Sequence, residues 1–354
     1  MAAAFAEALA RVAIHPWKGV AAALFPSDGG DAPGAWEAAV ARMNFLNLCP
    51  LLHLAAVAIN EIILEATMND KLIQIVDLGG VHHGQWVDLL HAFATRREVR
   101  PCLRLTVVHE HKQFLSQASL ILVSESDRLG VPFDLHIVES SIEALKLDAL
   151  GVRSDHAVVI VSTLQLHRLV GSTGINTAAA GGSGIDSSLP VAMSTKVDKL
   201  LRGFQLLSPK LVIVTEHETH HFGPTFMERF VSALGYYEQL FSSVEEASLA
   251  CCQPAERKMV ERYFLKEEIK DIIACEDGPR WARHERLGRW IVRMGAAGFM
   301  FSPTSSIAAA GRVRSVAVRL PGGEKRYGVT EGGGWLILSR MDKPMFFVSV
   351  WRRK

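Results

Sequence analysis

Leu72-Ile73-Gln74-Ile75-Val76-Asp77-Leu78-Gly79-Gly80, continuing through His82-His83-Gly84-Gln85-Trp86, is the stretch that decides the fold. A short apolar, β-branched run predicts a buried strand ending in Asp77; the paired glycines then predict a tight turn, and a helix follows over about 85–96. Strand, acid, glycine turn and helix N-terminus, in that order, open a nucleotide-binding α/β sheet. Glycine lets the backbone turn sharply and approach a guest, while the free N–H groups of a helix start suit an anionic or polar one. Asp77, Gly79 and Gly80 are therefore candidate cofactor-binding residues, and Glu110, ending the next strand, stands where an acid would hold ribose hydroxyls. The glycines at 79, 80 and 84 do not spell G-x-G-x-x-G, so a purely architectural turn with helix-capping acids fits the same residues.

Outward from this stretch, residues 103–108, 133–138, 157–162 and 210–215 are further apolar runs, with a helical pattern over 112–129 between two of them. Strands apolar on both faces and separated by helices predict a parallel sheet covered on both sides. Before the sheet the chain reads as helical: 5–25 with a break at Pro16, a loop at 27–31, then 35–68 broken at Pro50. After it, residues 312–320, 326–329, 334–339 and 345–351 alternate and read as antiparallel strands, with Pro321-Gly322-Gly323 as a hairpin turn. The expected class is α/β: a Rossmann-like, S-adenosylmethionine methyltransferase-type sheet of five parallel strands plus C-terminal antiparallel strands, with a helical cap. Residues 1–68 would supply the N-terminal helices of that cap and 69–354 the α/β core. The extra helices at 222–275 would join the cap, and the Gly/Ser/Ala-rich 171–190 would be a surface loop.

A net charge of +1 over 354 residues gives no global electrostatic case for nucleic acid or membrane. Local basic stretches remain: Arg280, Arg283, His284, Arg286 and Arg289 with Trp281 and Trp290, read as one helical face, and the Arg352-Arg353-Lys354 tail. Glu276, Asp277 and Glu285 offset the first, which favours a solvated face over a phosphate site. Five cysteines, odd in number and without CxxC spacing, argue for a reducing compartment and against disulfide or zinc-finger chemistry. No secretory signal or long apolar span is evident, so an intracellular protein is expected. His217-Glu218-Thr219-His220-His221 matches H-E-x-x-H, whose zinc chemistry requires a helix that brings both histidines to one face. Here the pattern directly follows a predicted strand, and Gly223-Pro224 ends it, so a strand-end loop is expected and no metal is assigned. Neither Ser183 nor Cys251-Cys252 has the context of a catalytic nucleophile.

Several ordered blocks nevertheless converge. Ile73-Gln74-Ile75-Val76-Asp77 resembles the VHIID signature of the plant GRAS family, and Gly84-Gln85-Trp86 the glycine-glutamine-tryptophan that follows it. Leu166-His167-Arg168-Leu169-Val170 is similar to the element closing the second leucine-rich region. Pro209, Tyr236-Tyr237, Arg280 and Arg283-His284-Glu285 resemble the successive parts of the PFYRE block; Trp290, Trp335 and Trp351 resemble the SAW block. The chain is similar to the scarecrow-like branch over essentially its whole length, read as a single GRAS domain over 1–354. Departures are Gln74 for histidine, Val170 for leucine, Ala282 for glutamate and Arg340 for tryptophan. The segment holding His217 usually reads Glu-Gln-Glu-x-x-His in the family, which aligns Glu216, Glu218 and His221 without a metal role. The opening residues match only the end of the first leucine-rich region, and the acidic DELLA-type tail is not in this sequence, so a gibberellin-degraded repressor is not expected.

This resemblance implies a nuclear transcriptional regulator or coregulator without established enzymatic activity. It would act through contacts with other GRAS proteins, DELLA-type members included, and with zinc-finger transcription factors, in gibberellin signalling and root development. The helical cap and leucine-rich faces would make those contacts, as a homo- or heterodimer where the partner is another GRAS chain. The alternatives are a methyltransferase-like small-molecule-binding protein or enzyme using Asp77, Gly79, Gly80 and Glu110, and a protein that binds DNA directly. No cofactor and no membrane are expected.

Overall fold

Strand β1 (Leu72–Asp77) lies inside a nine-stranded sheet, paired in parallel with β2 (Cys102–His109) on one side and β4 (Ala157–Thr163) on the other. The computed structural model describes residues 1–25, 33–79, 82–96, 101–171, 195–221, 225–275, 281–303 and 305–354. β3 (Phe133–Glu139) extends the sheet beyond β2, and β5 (Leu211–His217) extends it beyond β4, both in parallel. β9 (Lys343–Arg353) then adds antiparallel to β5, followed by β8 (Trp335–Arg340) and β7 (Tyr327–Gly332). The order β3-β2-β1-β4-β5-β9-β8-β7 is a Rossmann-like, methyltransferase-type sheet with an antiparallel extension. The loop at 27–31 and the Gly/Ser/Ala-rich 171–190, Gly171 excepted, lie outside the described residues.

Alternation along the strands splits the interior into two cores. Ile73 and Ile75 of β1 point into the larger, while Val76 points into the smaller. The larger core is roofed by α1 (Ala2–Ile14), α3 (Ala35–Leu48), α4 (Pro50–Ala66), α5 (His83–Ala94), α6 (Lys112–Leu129), α8 (Phe226–Cys251) and α10 (Lys266–Ala274). The smaller takes α7 (Lys196–Leu206) and α11 (Leu287–Ala296). Pro50 starts α4 at a position where the missing N–H costs nothing. Thr195 with Asp198 and Thr225 with Glu228 form capping boxes that fix the starts of α7 and α8. α6 ends on Gly130, whose φ of +64° favours glycine.

The N-terminal helices pack against those of 226–274. Phe5 sits edge-on to Phe230 with centroids 5.8 Å apart, Phe45 stacks on Phe264 at 4.7 Å, and Lys266 Nζ pairs with Glu7 at 2.7 Å. The short α2 (Lys18–Leu24) leaves Trp17, Val20 and Leu24 exposed. No single helix among the described residues is long and apolar enough to cross a membrane; the bent pair α3–α4 has the composition, but α4 is buried in the core along most of its length.

Two expectations are corrected. Residues 312–320 are not a strand: α12 (Ser305–Ala317) runs through most of them and packs on α4. The alternation of Val313, Val316 and Val318 with arginines mimics a strand, yet the buried side chains are Ala309, Ala310, Val313 and Ala317, a helical spacing. Pro321-Gly322-Gly323 therefore leads from a helix into β7 instead of turning a hairpin. Residues 281–286 precede α11 outside any helix, so Arg283, His284 and Arg286 do not share a helical face with Arg289. The three-residue β6 (Phe299–Phe301), which pairs with β9, has no sequence signal of its own.

Phe45 is fully buried at the junction of the two helical groups. Phe45→Ala is expected to cost about 3–5 kcal/mol, read as a drop in the urea midpoint with m unchanged; a loss below about 1 kcal/mol would mean that the two groups do not depend on this stack.

Candidate functional site

The C-terminal ends of β1, β4 and β5 converge where a nucleotide would sit in this fold. Asp77 faces inward, but its carboxylate is engaged: Oδ1 accepts from the Gly79 backbone N–H at 2.8 Å and Oδ2 accepts from Trp86 Nε1 at 2.8 Å. Arg42 of α3 reaches over the turn. Its Nη1 donates to Leu164 O at 3.0 Å, and its Nη2 to Thr163 O at 3.0 Å and Gly79 O at 3.4 Å. Gln165 Nε2 adds a second donor to Gly79 O at 3.3 Å. Desolvation pulls the guanidinium down to about 10, which leaves it charged at neutral pH.

This fork divides the candidate cradle. A cavity of about 20 Å³ lies beside Asp77 and Gly79 under α4, and another of about 30 Å³ lies beside Glu110, His109 and Arg168. Each has room for one or two waters. Asp77 and Gly79 thus share one wall, Glu110 belongs to a separate hollow, and Gly80 lies outside the described residues. Gln74, by contrast, is buried and structural. Its Nε2 donates to Thr106 Oγ1 at 3.1 Å and Gly151 O at 3.2 Å, and its Oε1 accepts from Arg153 N–H at 2.9 Å.

A second constellation was not visible as a unit in the sequence. His217 ends β5, His167 lies in the 3-10 turn after β4, His284 precedes α11, and all three are buried with His221. His217 and His284 stack at 3.8 Å between centroids, and His167 meets His284 edge-on at 4.8 Å. Glu216 accepts from the backbone N–H of Leu166 at 2.8 Å and of His167 at 3.2 Å, and from His167 Nδ1 at 2.7 Å. Tyr236 O–H donates to Met345 O at 2.8 Å and contacts His217 Nδ1 at 2.7 Å. Tyr237 O–H donates to Glu268 Oε2 at 2.9 Å. Leu166, His167 and Leu169 are therefore core residues, which corrects the expectation that this leucine-rich element is a contact face. His217 and His221 share no helix, and Glu218 accepts from the Leu287 N–H at 2.8 Å. The other motif residues are equally internal: Trp86, Trp290 and Trp351 are buried in the cores, and Glu285 pairs with Arg293 at 2.7 Å. Trp335 packs against the smaller core, Pro209 lies in the turn before β5, Gly84 and Gln85 open α5, and Arg280 lies outside the described residues.

The GRAS domain family profile matches residues 1–352. The chain belongs to this family. It is 32% identical to Scarecrow-like protein 3 of Arabidopsis thaliana, with 99% of this chain and 80% of that protein aligned. It is 31% identical to the DELLA protein RGL3 of the same plant, over 98% of this chain but 60% of the longer relative. Its fold is similar to the crystal structure of SCL7 from Oryza sativa, with a TM-score of 0.78 at 27% identity over 99% of this chain and 88% of that one. GRAS membership carries a role in plant transcriptional regulation.

Within this GRAS chain, Arg42 and Glu268 are residues that sequence reasoning passed over. The signal for Arg42 was a lone basic residue mid-way along a largely apolar helix; Glu268 carried none. Arg42→Met should remove the guanidinium donor from the Leu164 and Thr163 carbonyls, with Gly79 O keeping Gln165, and cost about 2–4 kcal/mol in urea unfolding; a change under about 0.5 kcal/mol would show that the fork is dispensable.

Burial holds His82 and His109 down to about 4, His221 to about 3, and His217 and His284 well below the usual range. The unfolded chain takes up these protons near pH ~6.5 and the folded chain does not, so the stability is fully present above that pH and is lost as pH falls. Glu268, raised to about 8 by burial, has the opposite sign, losing stability as pH rises from about 4.5 through 8, but it is one group against five. The urea midpoint is expected to fall steeply between pH 6.5 and 5, with a slope of up to about 1.4 kcal/mol per pH unit for each histidine; a flat profile there would contradict the neutral-histidine assignment.

Proposed function

We propose that the chain is a nuclear transcriptional coregulator. It works by contact with other GRAS proteins, DELLA-type members included, and with zinc-finger transcription factors, in gibberellin response and root development, without catalysing a reaction. The observation that carries this reading is the arginine latch at the end of the sheet. Arg42 occupies the carbonyls that would border a nucleotide, and the two hollows beside it hold about 20 and 30 Å³. Outside, α8 presents Met227, Val231 and Leu234 at i, i+4 and i+7, exposed by 63%, 62% and 39%. A stripe of that spacing suits a helical partner surface, and it takes over the contact role first expected of Leu166 and Leu169.

The purified chain is expected to capture a DELLA-type GRAS partner from plant nuclear extract, and Met227→Glu with Val231→Glu and Leu234→Glu should weaken capture at least tenfold with an unchanged circular dichroism spectrum. Calorimetry with S-adenosylmethionine should show no heat beyond dilution. Saturable binding lost in Asp77→Ala would favour the enzyme reading, and a salt-sensitive gel shift by the chain alone would favour direct DNA contact.

A further inference from the structure

The histidine core has a feature that neither the fold nor the family requires. His167, His217, Glu268 and His284 are all buried, each offers one ligand atom, and these atoms lie within 4.8 Å of one another. Three of the four carry a buried polar atom without a hydrogen-bond partner: His217 Nε2, His284 Nε2 and Glu268 Oε1.

The hydrogen bonds around the cluster set the tautomers of His217 and His167 and allow His284 a free Nε2. A carbonyl only accepts, so the single proton of Tyr236 goes to Met345 O, and His217 Nδ1 must donate to the tyrosine oxygen. A neutral imidazole protonated at Nδ1 carries a bare lone pair at Nε2. His167 Nδ1 donates to the Glu216 carboxylate, which again leaves Nε2 as the acceptor. His284 Nδ1 lies 2.9 Å from His221 Nδ1, and His221 Nε2 lies 3.2 Å from Thr219 Oγ1. With the hydroxyl as acceptor, His221 donates through Nε2, takes the proton of His284 at Nδ1, and frees His284 Nε2. Glu268 accepts from Tyr237 at Oε2 and keeps Oε1 free. The result is that imidazole lone pairs and a carboxyl oxygen face one buried volume, an arrangement that a cation lying among them would satisfy.

We propose that His167, His217, Glu268 and His284 form a buried site for one divalent, zinc-class ion. Three imidazole nitrogens and one carboxylate oxygen are a tetrahedral donor set for such an ion. Every ligand already has a second partner that orients it: Glu216, Tyr236, His221 and Tyr237. Bonds of about 2.1 Å place ligand atoms roughly 3.4 Å apart, so the side chains draw in and the stacked His217–His284 pair splays. Two carboxylates, Glu216 and Glu268, balance the ion against Arg42, whose charge also acts on this cluster. The coordination is closed by protein, which makes the ion structural. It would join the ends of β4 and β5 to α10 and to the segment before α11. The ligand set shares only His217 with the H-E-x-x-H pattern, for which no metal was expected.

The test uses the full chain expressed in zinc-supplemented medium and assayed for metal after gel filtration. About one zinc per chain is expected, falling below about 0.1 in His217→Gln and unchanged in His53→Gln, whose histidine is exposed. Zinc absent from the wild type, or retained by His217→Gln, overturns the proposal. Should His217→Gln fail to fold, X-ray absorption at the zinc edge of the wild type decides. Three imidazoles and one oxygen at about 2.0–2.1 Å support the site, whereas one or two imidazoles with several waters mean adventitious surface binding and overturn it.

Discussion

The constraint on which the rest depends is the need of parallel strands for partners at their C-terminal ends. Carbonyls there project beyond the last ladder bond, and in nucleotide-binding sheets the neighbouring loops are shaped by a ligand. Here Arg42 serves instead. A guanidinium presents five donors in a fixed fork, and three carbonyls from the turns after β1 and β4 fall within its reach. The fork also fixes α3 over the sheet, and with it the stack of Phe45 on Phe264. In this chain that end is latched by a helix from outside the sheet.

Asp77 is held inside the protein in the same way. At a strand end beside a glycine turn, a carboxylate can accept from a ligand or from the protein. In this chain both oxygens are engaged, by Gly79 N–H and by Trp86 Nε1. Trp86 belongs to the Gly84-Gln85-Trp86 block, so two sequence signatures that look independent are the halves of one buried hydrogen bond. Tyr236 is comparable: one hydroxyl connects α8 to Met345 of β9 and sets the tautomer of His217. These motif residues are internal couplings, and the surface that meets a partner has to be sought among side chains that no motif contains.

How much was legible follows from this. The parallel strands, the break at Pro50 and the full extent of α6 were readable because burial on two faces and helical periodicity leave local marks. Residues 312–320 were misread because Arg312-Val313-Arg314 and Val316-Ala317-Val318-Arg319 alternate over a few residues each, while with Ala309 and Ala310 just upstream the stretch also satisfies a helical stripe. Only packing on α4 decides between them. Leu166 and Leu169 were placed outside because a leucine-rich name suggests a contact face, whereas their position directly after β4 drives them into the smaller core.

The buried histidines mark the limit of linear reading most clearly. H-E-x-x-H is informative only on a helix, since 3.6 residues per turn bring positions i and i+4 together. Placed at the end of a strand, the same letters separate: His217 continues the sheet, Glu218 turns toward Leu287, and His221 orients another histidine. What replaces the motif is convergence of four chain segments, none of which carries a recognisable spacing. Such a set becomes readable only when each ring nitrogen is followed to its partner. A histidine whose Nδ1 is held by a tyrosine or carboxylate, and whose Nε2 is buried with no donor facing it, has been oriented toward something. His217 is such a ring, and its convergence with His167, His284 and a carboxylate constrains what that something is far more tightly than any string of residues.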